Sequence, residues 1–122
     1  MRSASKVPVV ITVAGSDSGG GAGLQADLKV FSSLGVFGTT AVTCVTAQNP
    51  GKVAGIRVVD PEMVALQIRT VLDAFDVKAA KTGILYSAGV IRSVALTLFG
   101  KGLRTLVVDP VMTATSGGRL LQ

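Results

Sequence analysis

The stretch VPVVITVAGSDSGGGAGLQADLKVFSSLG, residues 7–35, decides the fold class. Residues 7–14 are almost wholly apolar and rich in Val and Ile, as in a buried strand, with Pro8 at its start where a missing ladder donor is tolerated. Further on, Leu24, Leu28, Phe31 and Leu34 recur at helical spacing, with Gln25, Lys29 and Ser32 on another side, and Gly35 is a natural stop. Between strand and helix lies GSDSGGGAG, with five glycines and an aspartate. Strand, glycine loop and helix in direct succession open a β–α–β unit.

The pattern continues. TTAVTCVTA, residues 39–47, predicts a second strand that breaks at Gln48-Asn49-Pro50-Gly51, and Ile56, Val58 and Val59 mark a short third. Asp60 and Pro61 open a second helix as N-cap and first helical residue, running through Val64, Ile68, Val71, Leu72 and Phe75. VKAAKTG, residues 77–83, is a fourth strand ending near Lys81. Ser87 caps a third helix with Val90, Val94 and Leu98 inward and Gly100 at its close. RTLVVDPV, residues 104–111, is a fifth strand ending at Asp109-Pro110. Strands alternating with helices of this length imply right-handed crossovers: a three-layer, doubly wound α/β fold with a mostly parallel sheet. Ligands in such folds sit at the C-terminal ends of the strands. Polar residues collect there: Ser16 and Asp17, residues 46–49, Lys81 and Thr82, and Asp109 with the TATSGG that follows.

Composition narrows the function classes. The 122 residues suit one domain and are 48% hydrophobic and 16% charged, which excludes disorder. Apolar runs are strand-sized, so no membrane span is expected, and the opening MRSASKVPVV is too short in apolar residues for a secretory signal. The net charge of +5 comes from dispersed Lys and Arg with no aromatic interleaving, which speaks against nucleic acid and allows a small anionic ligand. The lone Cys44 rules out an intrachain disulfide and a multi-cysteine zinc site, and its place in an apolar strand reads as core, with a cytoplasmic location as the default. With no histidine, Ser-His-Asp triads, Cys-His dyads and HExxH sites are all excluded.

Four readings of the glycine loop compete. Gly21-x-Gly23-x-x-Ala26 fits a dinucleotide fingerprint, but no acidic residue ends the second strand to hold a ribose. A Walker loop needs Gly-Lys-Ser/Thr where this chain has AGLQADLK. Gly15-Ser16-Asp17-Ser18-Gly19 fits an aspartyl nucleophile elbow, which lacks a histidine base. The fourth reading is a ligand-contacting turn whose glycines let the backbone approach and leave amides pointing inward, and the glycine density favours it over a plain tight turn. Asp27 lies one turn into the helix beside Leu24 and Leu28; facing the sheet it would need a partner, facing solvent none, and spacing leaves both open.

VAGSDSGGGAGLQADLKVFSSLGVFGTTAVTCVTAQN (13–49), KTGIL (81–85) and VVDPVMTATSGG (107–118) closely resemble the hydroxymethylpyrimidine/phosphomethylpyrimidine kinases of thiamine biosynthesis, members of the ribokinase-like superfamily. The resemblance runs through nearly the whole chain from Val9 onward. It implies a transferase that uses ATP and Mg²⁺ to phosphorylate hydroxymethylpyrimidine and then its monophosphate. It also implies that Gln48 meets the pyrimidine edge with its amide, that Asp27 faces the ligand, and that Gly15, Ala22, Thr46 and Val111 line the pocket. Ile84 stands where the family often has methionine, and Asp109 matches an aspartate near the phosphates and magnesium. A homodimer is the implied assembly. Each has a bland counterpart: Gln48-Asn49-Pro50-Gly51 as a mere turn, Asp109 before Pro110 as a loop cap, Lys81 as a solvated strand end.

The family's Gly-Thr-Gly-Cys anion hole does not occur here, and Cys44, in mid-strand, is no substitute. The fifth strand, apolar on both faces, suits a central position, and Leu120 and Leu121 look like the start of an element. The chain thus reads as a flexible N-terminus (1–6) followed by the N-terminal half of a ribokinase-like domain (7–122), carrying substrate recognition and little of the catalytic machinery. The alternatives are a non-catalytic pyrimidine-binding module and an assembly fragment.

Overall fold

A computed structural model of the chain describes residues 6–112. Its elements are β1 (Val9–Ser16), α1 (Gly23–Ser33), β2 (Phe37–Asn49), β3 (Lys52–Val58), α2 (Pro61–Ala74), β4 (Val77–Thr82), α3 (Ala88–Gly100) and β5 (Leu106–Val108). The strands form one sheet in the order β3-β2-β1-β4-β5. β1 lies parallel to both β2 and β4, and β4 parallel to β5, while β3 returns antiparallel along β2.

β1 sits at the centre because it is the most apolar strand: Ile11, Val13 and Ala14 are fully buried. Strand residues alternate between faces. Ile11 and Val13 join Val64 and Ile68 of α2 and Val90, Val94 and Leu98 of α3 in the main core. Thr12 turns to the opposite face and bonds Asp27 of α1. Helices therefore cover both faces, as the sequence predicts. Both expected caps form: Asp60 accepts from the Met63 N–H, and Ser87 from the Val90 N–H.

Three features differ from expectation. Phe75, read as helical, is the extended residue just past α2, its ring stacked on Phe37 at 5.8 Å between centroids. β2 runs on to Asn49, because Gln48 and Asn49 pair with Val53 and Lys52 across the hairpin. The Asn49 side-chain oxygen closes that turn by accepting from the N–H groups of Gly51 (2.9 Å) and Lys52 (3.1 Å). β5, expected to be central, is the edge of the described sheet, short, with Val107 and Val108 62% and 58% exposed. No described strand pairs with its outer side.

Two irregularities shape the end of the sheet where ligands bind. The β1–β2 register slips between Ala14 and Ser16, whose partners are Val42 and Val45, so Thr43 and Cys44 both stand against Gly15. The slip inverts which β2 residues turn inward: Thr39, Ala41 and Thr43 before it, Cys44 and Thr46 after it. On the other side of β2, pairing with β3 begins at Cys44, and Val42 is served by the Gln67 side chain of α2 instead, accepting from its N–H at 2.9 Å and donating to its carbonyl at 3.0 Å. The parallel strands bring the C-terminal ends of β1, β2, β4 and β5 to one edge. There the chain leaves β1 toward β2 on one side and reaches β4 on the other, the switch beside which crevices open.

Candidate functional site

The loop after β1 is organised by Asp17, which is 7% exposed. Its carboxylate accepts from the N–H groups of Gly19 (2.8 Å), Ala22 (2.9 Å) and Gly21 (3.1 Å), while the Gly20 N–H donates to its carbonyl (3.0 Å). Amides that a phosphate would take are thus held by the chain's own carboxylate, and the expectation of inward-pointing open amides fails at these positions. Ser18 clasps the loop to the end of β2, its hydroxyl donating to the Gln48 carbonyl and accepting from the Gln48 N–H, both at 2.7 Å. Gln25 of α1 completes the frame, donating to Ser16 Oγ (2.7 Å) and accepting from the Asp17 N–H (2.9 Å). Two glycines here are steric requirements: a Cβ on Gly15 would collide with Ile84 and lie 2.7 Å from Cys44 Sγ, and one on Gly23, at φ +59°, would collide with the Gly15 carbonyl.

Asp27 faces the sheet. Its Oδ2 accepts from Thr12 Oγ1 at 2.6 Å, and Lys81 Nζ reaches Oδ1 at 3.0 Å and Oδ2 at 2.9 Å. Lys81 is therefore no solvated strand end; it is the partner that lets a carboxylate lie against the sheet.

These groups surround a cavity of about 380 Å³ at the C-terminal edge of the sheet, within the ~300–1,000 Å³ usual for small-molecule sites. Gly15, Ala22, Asp27, Thr46, Gln48, Ile84, Asp109 and Val111, the positions singled out from the sequence, all line it, along with Ser16, Asp17, Ala26 and Lys81. Thr46 donates to the Ser16 carbonyl at 2.8 Å, its oxygen lying 3.3 Å from Gln48 Oε1, and the Gln48 amide nitrogen donates to no described residue. Ile84 and Val111 form the apolar floor, packed from behind by the fully buried Cys44 and by Ile56. Burial pushes the Cys44 thiol above its ordinary value, the hydrogen bond with Thr43 opposing it, so this cysteine is a packing residue. The arrangement offers an apolar floor and wall, an amide that can donate and accept, and a carboxylate: the complement of a flat, polar-edged heterocycle.

Asp109 follows β5, its N–H donating to the Thr82 carbonyl at 3.0 Å. Among the described residues no three His, Cys, Asp or Glu side chains cluster as a metal site. Asp17 and Asp27 are engaged by the loop amides and by Lys81, so Asp109 is the cavity carboxylate left to meet a cation. It fits one ligand, direct or through water, of an ion whose other ligands are phosphates and waters. The TATSGG segment lies outside the described residues.

Sequence reasoning missed Asp17, Thr12 and Gln25 as framework. A signal existed for Asp17, since an aspartate just before a run of glycines is the pattern of a side chain bonding the amides that follow it. Thr12 lay hidden in an apolar run, and Lys81 became legible only once β4 stood beside β1.

The sequence profile of the phosphomethylpyrimidine kinase family matches residues 17–122. A hydroxymethylpyrimidine/phosphomethylpyrimidine kinase of Haemophilus influenzae is 49% identical over 118 residues, covering 97% of this chain and 44% of that protein. A chloroplastic thiamine biosynthetic bifunctional enzyme of Arabidopsis thaliana is 47% identical over 116 residues, 95% of this chain and 22% of that one. The chain thus spans less than half the length of these relatives. Among solved structures, a phosphomethylpyrimidine kinase of Clostridium difficile superposes with a TM-score of 0.86 at 40% identity, over 96% of this chain and 50% of that one. An ADP complex of Bacillus subtilis pyridoxal kinase gives 0.81 at 39% identity, over 88% and 42%. The fold is ribokinase-like, and the chain belongs to the phosphomethylpyrimidine kinase family.

Proposed function

We propose that this chain is the substrate-recognition part of a kinase that transfers a phosphoryl group from ATP to hydroxymethylpyrimidine and to its monophosphate in thiamine biosynthesis. One observation carries the reading: side chains and backbone from β1, the glycine loop, α1, β2 and the segments after β4 and β5 converge on one cavity. Residues 7–122 are, in this proposal, the N-terminal half of the kinase domain; of the N-terminal residues 1–6, residues 1–5 lie outside those described. The ADP- and AMP-PCP-bound pyridoxal kinases of similar fold support ATP as the donor.

In this reading Gln48 donates to and accepts from the pyrimidine edge, Asp27 accepts from a ligand N–H, and Ile84 and Val111 enclose the ring. Gly15 and Ala22 keep the wall thin enough for the ring to lie close. Asp109 stands at the phosphate edge, where it would hold a magnesium ion directly or through water. Magnesium–ATP, when bound, supplies the phosphoryl group and screens its charge. Orientation of the hydroxymethyl oxygen is this chain's contribution; the anion hole that stabilises the transferring group has no counterpart in its sequence. Losing one such donor costs about 10²–10³ in rate, so the chain alone transfers slowly or not at all. A cytoplasmic location and a homodimer complete the proposal, checked by cell fractionation and light scattering.

The test is calorimetric titration of the chain with hydroxymethylpyrimidine, with and without magnesium–ATP, beside a phosphorylation assay. The expected result is pyrimidine binding with little or no transfer. Ordinary turnover would overturn the assignment of catalysis to residues absent here. No affinity for the pyrimidine would overturn the recognition reading and leave an assembly fragment. Binding wholly indifferent to ATP favours a non-catalytic pyrimidine-binding module, the second reading.

A further inference from the structure

Thr12 and Lys81 stand opposite each other in the parallel pairing of β1 and β4, so both side chains rise from the same face of the sheet, beneath α1. Asp27 comes down onto them and is bonded by both. Thr12 is fully buried, while the side chains of Lys81 and Asp27 keep 25% and 16% of their exposure and both line the cavity. Lys81 Nζ also lies beside Gly83, where an added Cβ would come within 3.2 Å of it.

The lone-pair count then matters. A carboxylate oxygen accepts about two hydrogen bonds. Oδ2 is filled by Thr12 and Lys81; Oδ1 takes one bond, from Lys81, and keeps one acceptor direction. A carboxylate spanned by an ammonium offers the cavity an acceptor and no donor.

We propose that Lys81 is a positioning residue of this site: by bridging both oxygens of Asp27 it holds Oδ1 as an acceptor at the cavity, and so selects ligands bearing an exocyclic amino donor, an aminopyrimidine over a pyrimidine lacking the amino group. The inference rests on the pyrimidine-recognition reading above. Without Lys81 the carboxylate is held by Thr12 alone and is free to turn, so the amino group loses its fixed partner although the cavity keeps its shape.

The experiment is calorimetry on the full chain with two probes, 4-amino-5-hydroxymethyl-2-methylpyrimidine and the same molecule without its amino group. The unaltered chain should bind the amino probe roughly 10- to 100-fold more tightly, the worth of one hydrogen bond to a charged group. Lys81→Met should lower that ratio about tenfold, toward what the Gln48 acceptor alone supplies, and Lys81→Arg, whose planar fork can also span two oxygens, should preserve much of it. A lysine with a merely structural role would weaken both probes alike and leave the ratio standing; that result overturns the proposal. If Lys81→Met does not fold, Lys81→Met/Asp27→Asn, which leaves no lone charge against the sheet, takes its place. There Thr12 bonds the amide oxygen and an NH₂ faces the cavity, so the ratio must again fall about tenfold, and a retained ratio overturns the proposal. Equal binding of both probes by the unaltered chain defeats this inference alone, whereas binding of neither defeats the pyrimidine reading beneath it.

Discussion

Asp17 folds its carboxylate back onto the amides of Gly19, Gly21 and Ala22, and a glycine-rich loop that would otherwise sample many conformations becomes one rigid wall of the cavity. Removing the acceptor strands three donors at a nearly buried position, so Asp17→Ala should cost about 2–3 kcal/mol, the penalty for lost bonds to a charged group and unpaired N–H groups. Denaturant melts would show it, with Asp17→Asn falling between, since an amide keeps one acceptor oxygen. Gln48 differs in kind. Its side chain lies at the end of β2 with an amide nitrogen that donates to no described residue, so Gln48→Ala should leave the melt almost unchanged and lower pyrimidine affinity about tenfold, as for one or two neutral hydrogen bonds. A large stability loss with unchanged affinity would mean that the residue serves the hairpin alone. Cys44 gives a third outcome from its raised thiol: at neutral pH it stays protonated and buried, so iodoacetamide should label it only in denaturant.

At the scale of elements, Gln67 shows how a helix completes a strand. β3 pairs with β2 only from Cys44 onward, and the N–H and carbonyl of Val42 find the Gln67 amide instead. Gln67→Leu keeps the volume and removes both bonds; the expected loss is about 2 kcal/mol, from two unpaired backbone groups in a partly buried place, read as a shift in denaturant midpoint. The exposed pair Lys78–Asp76, with side chains 64% and 83% exposed, should by contrast be dispensable. Much of this level was legible in the sequence. Asp60, Pro61 and Ser87 announced their helices, because capping is a local bond between neighbours. The alternation of strands and helices announced the layers. Strand order, the register slip opposite Gly15 and the service of Val42 by Gln67 were not legible, since each depends on residues far apart in sequence. The cavity falls between these cases. The spacing of polar residues marked the right edge of the sheet, and family resemblance supplied Gln48, Ile84 and Val111. The partners of Asp27 and the closure of the glycine loop by Asp17 came only with the structure.

For the molecule as a whole, the unsettled region is the β5 edge. Val107 and Val108 point to opposite faces of the sheet and both are more than half exposed, so among the described residues neither face of that strand is covered. A short edge with apolar side chains on both faces is a template for pairing with another chain. Opposing it is the net charge of +5 on a 12.4 kDa chain, which makes two copies repel. Range decides between them: the repulsion acts over about 30 Å at 10 mM salt and about 8 Å at 150 mM, whereas burial of valine depends little on salt in that range. Self-association of the chain, followed by sedimentation velocity, should therefore be weak at 10 mM salt and strengthen at 150 mM. Val107→Lys/Val108→Lys should abolish it at both, by removing the apolar surface and adding charge to the edge. Association that weakened with salt would point to ion pairs between copies and would place the contact away from β5, on a surface where the scattered lysines and arginines meet carboxylates.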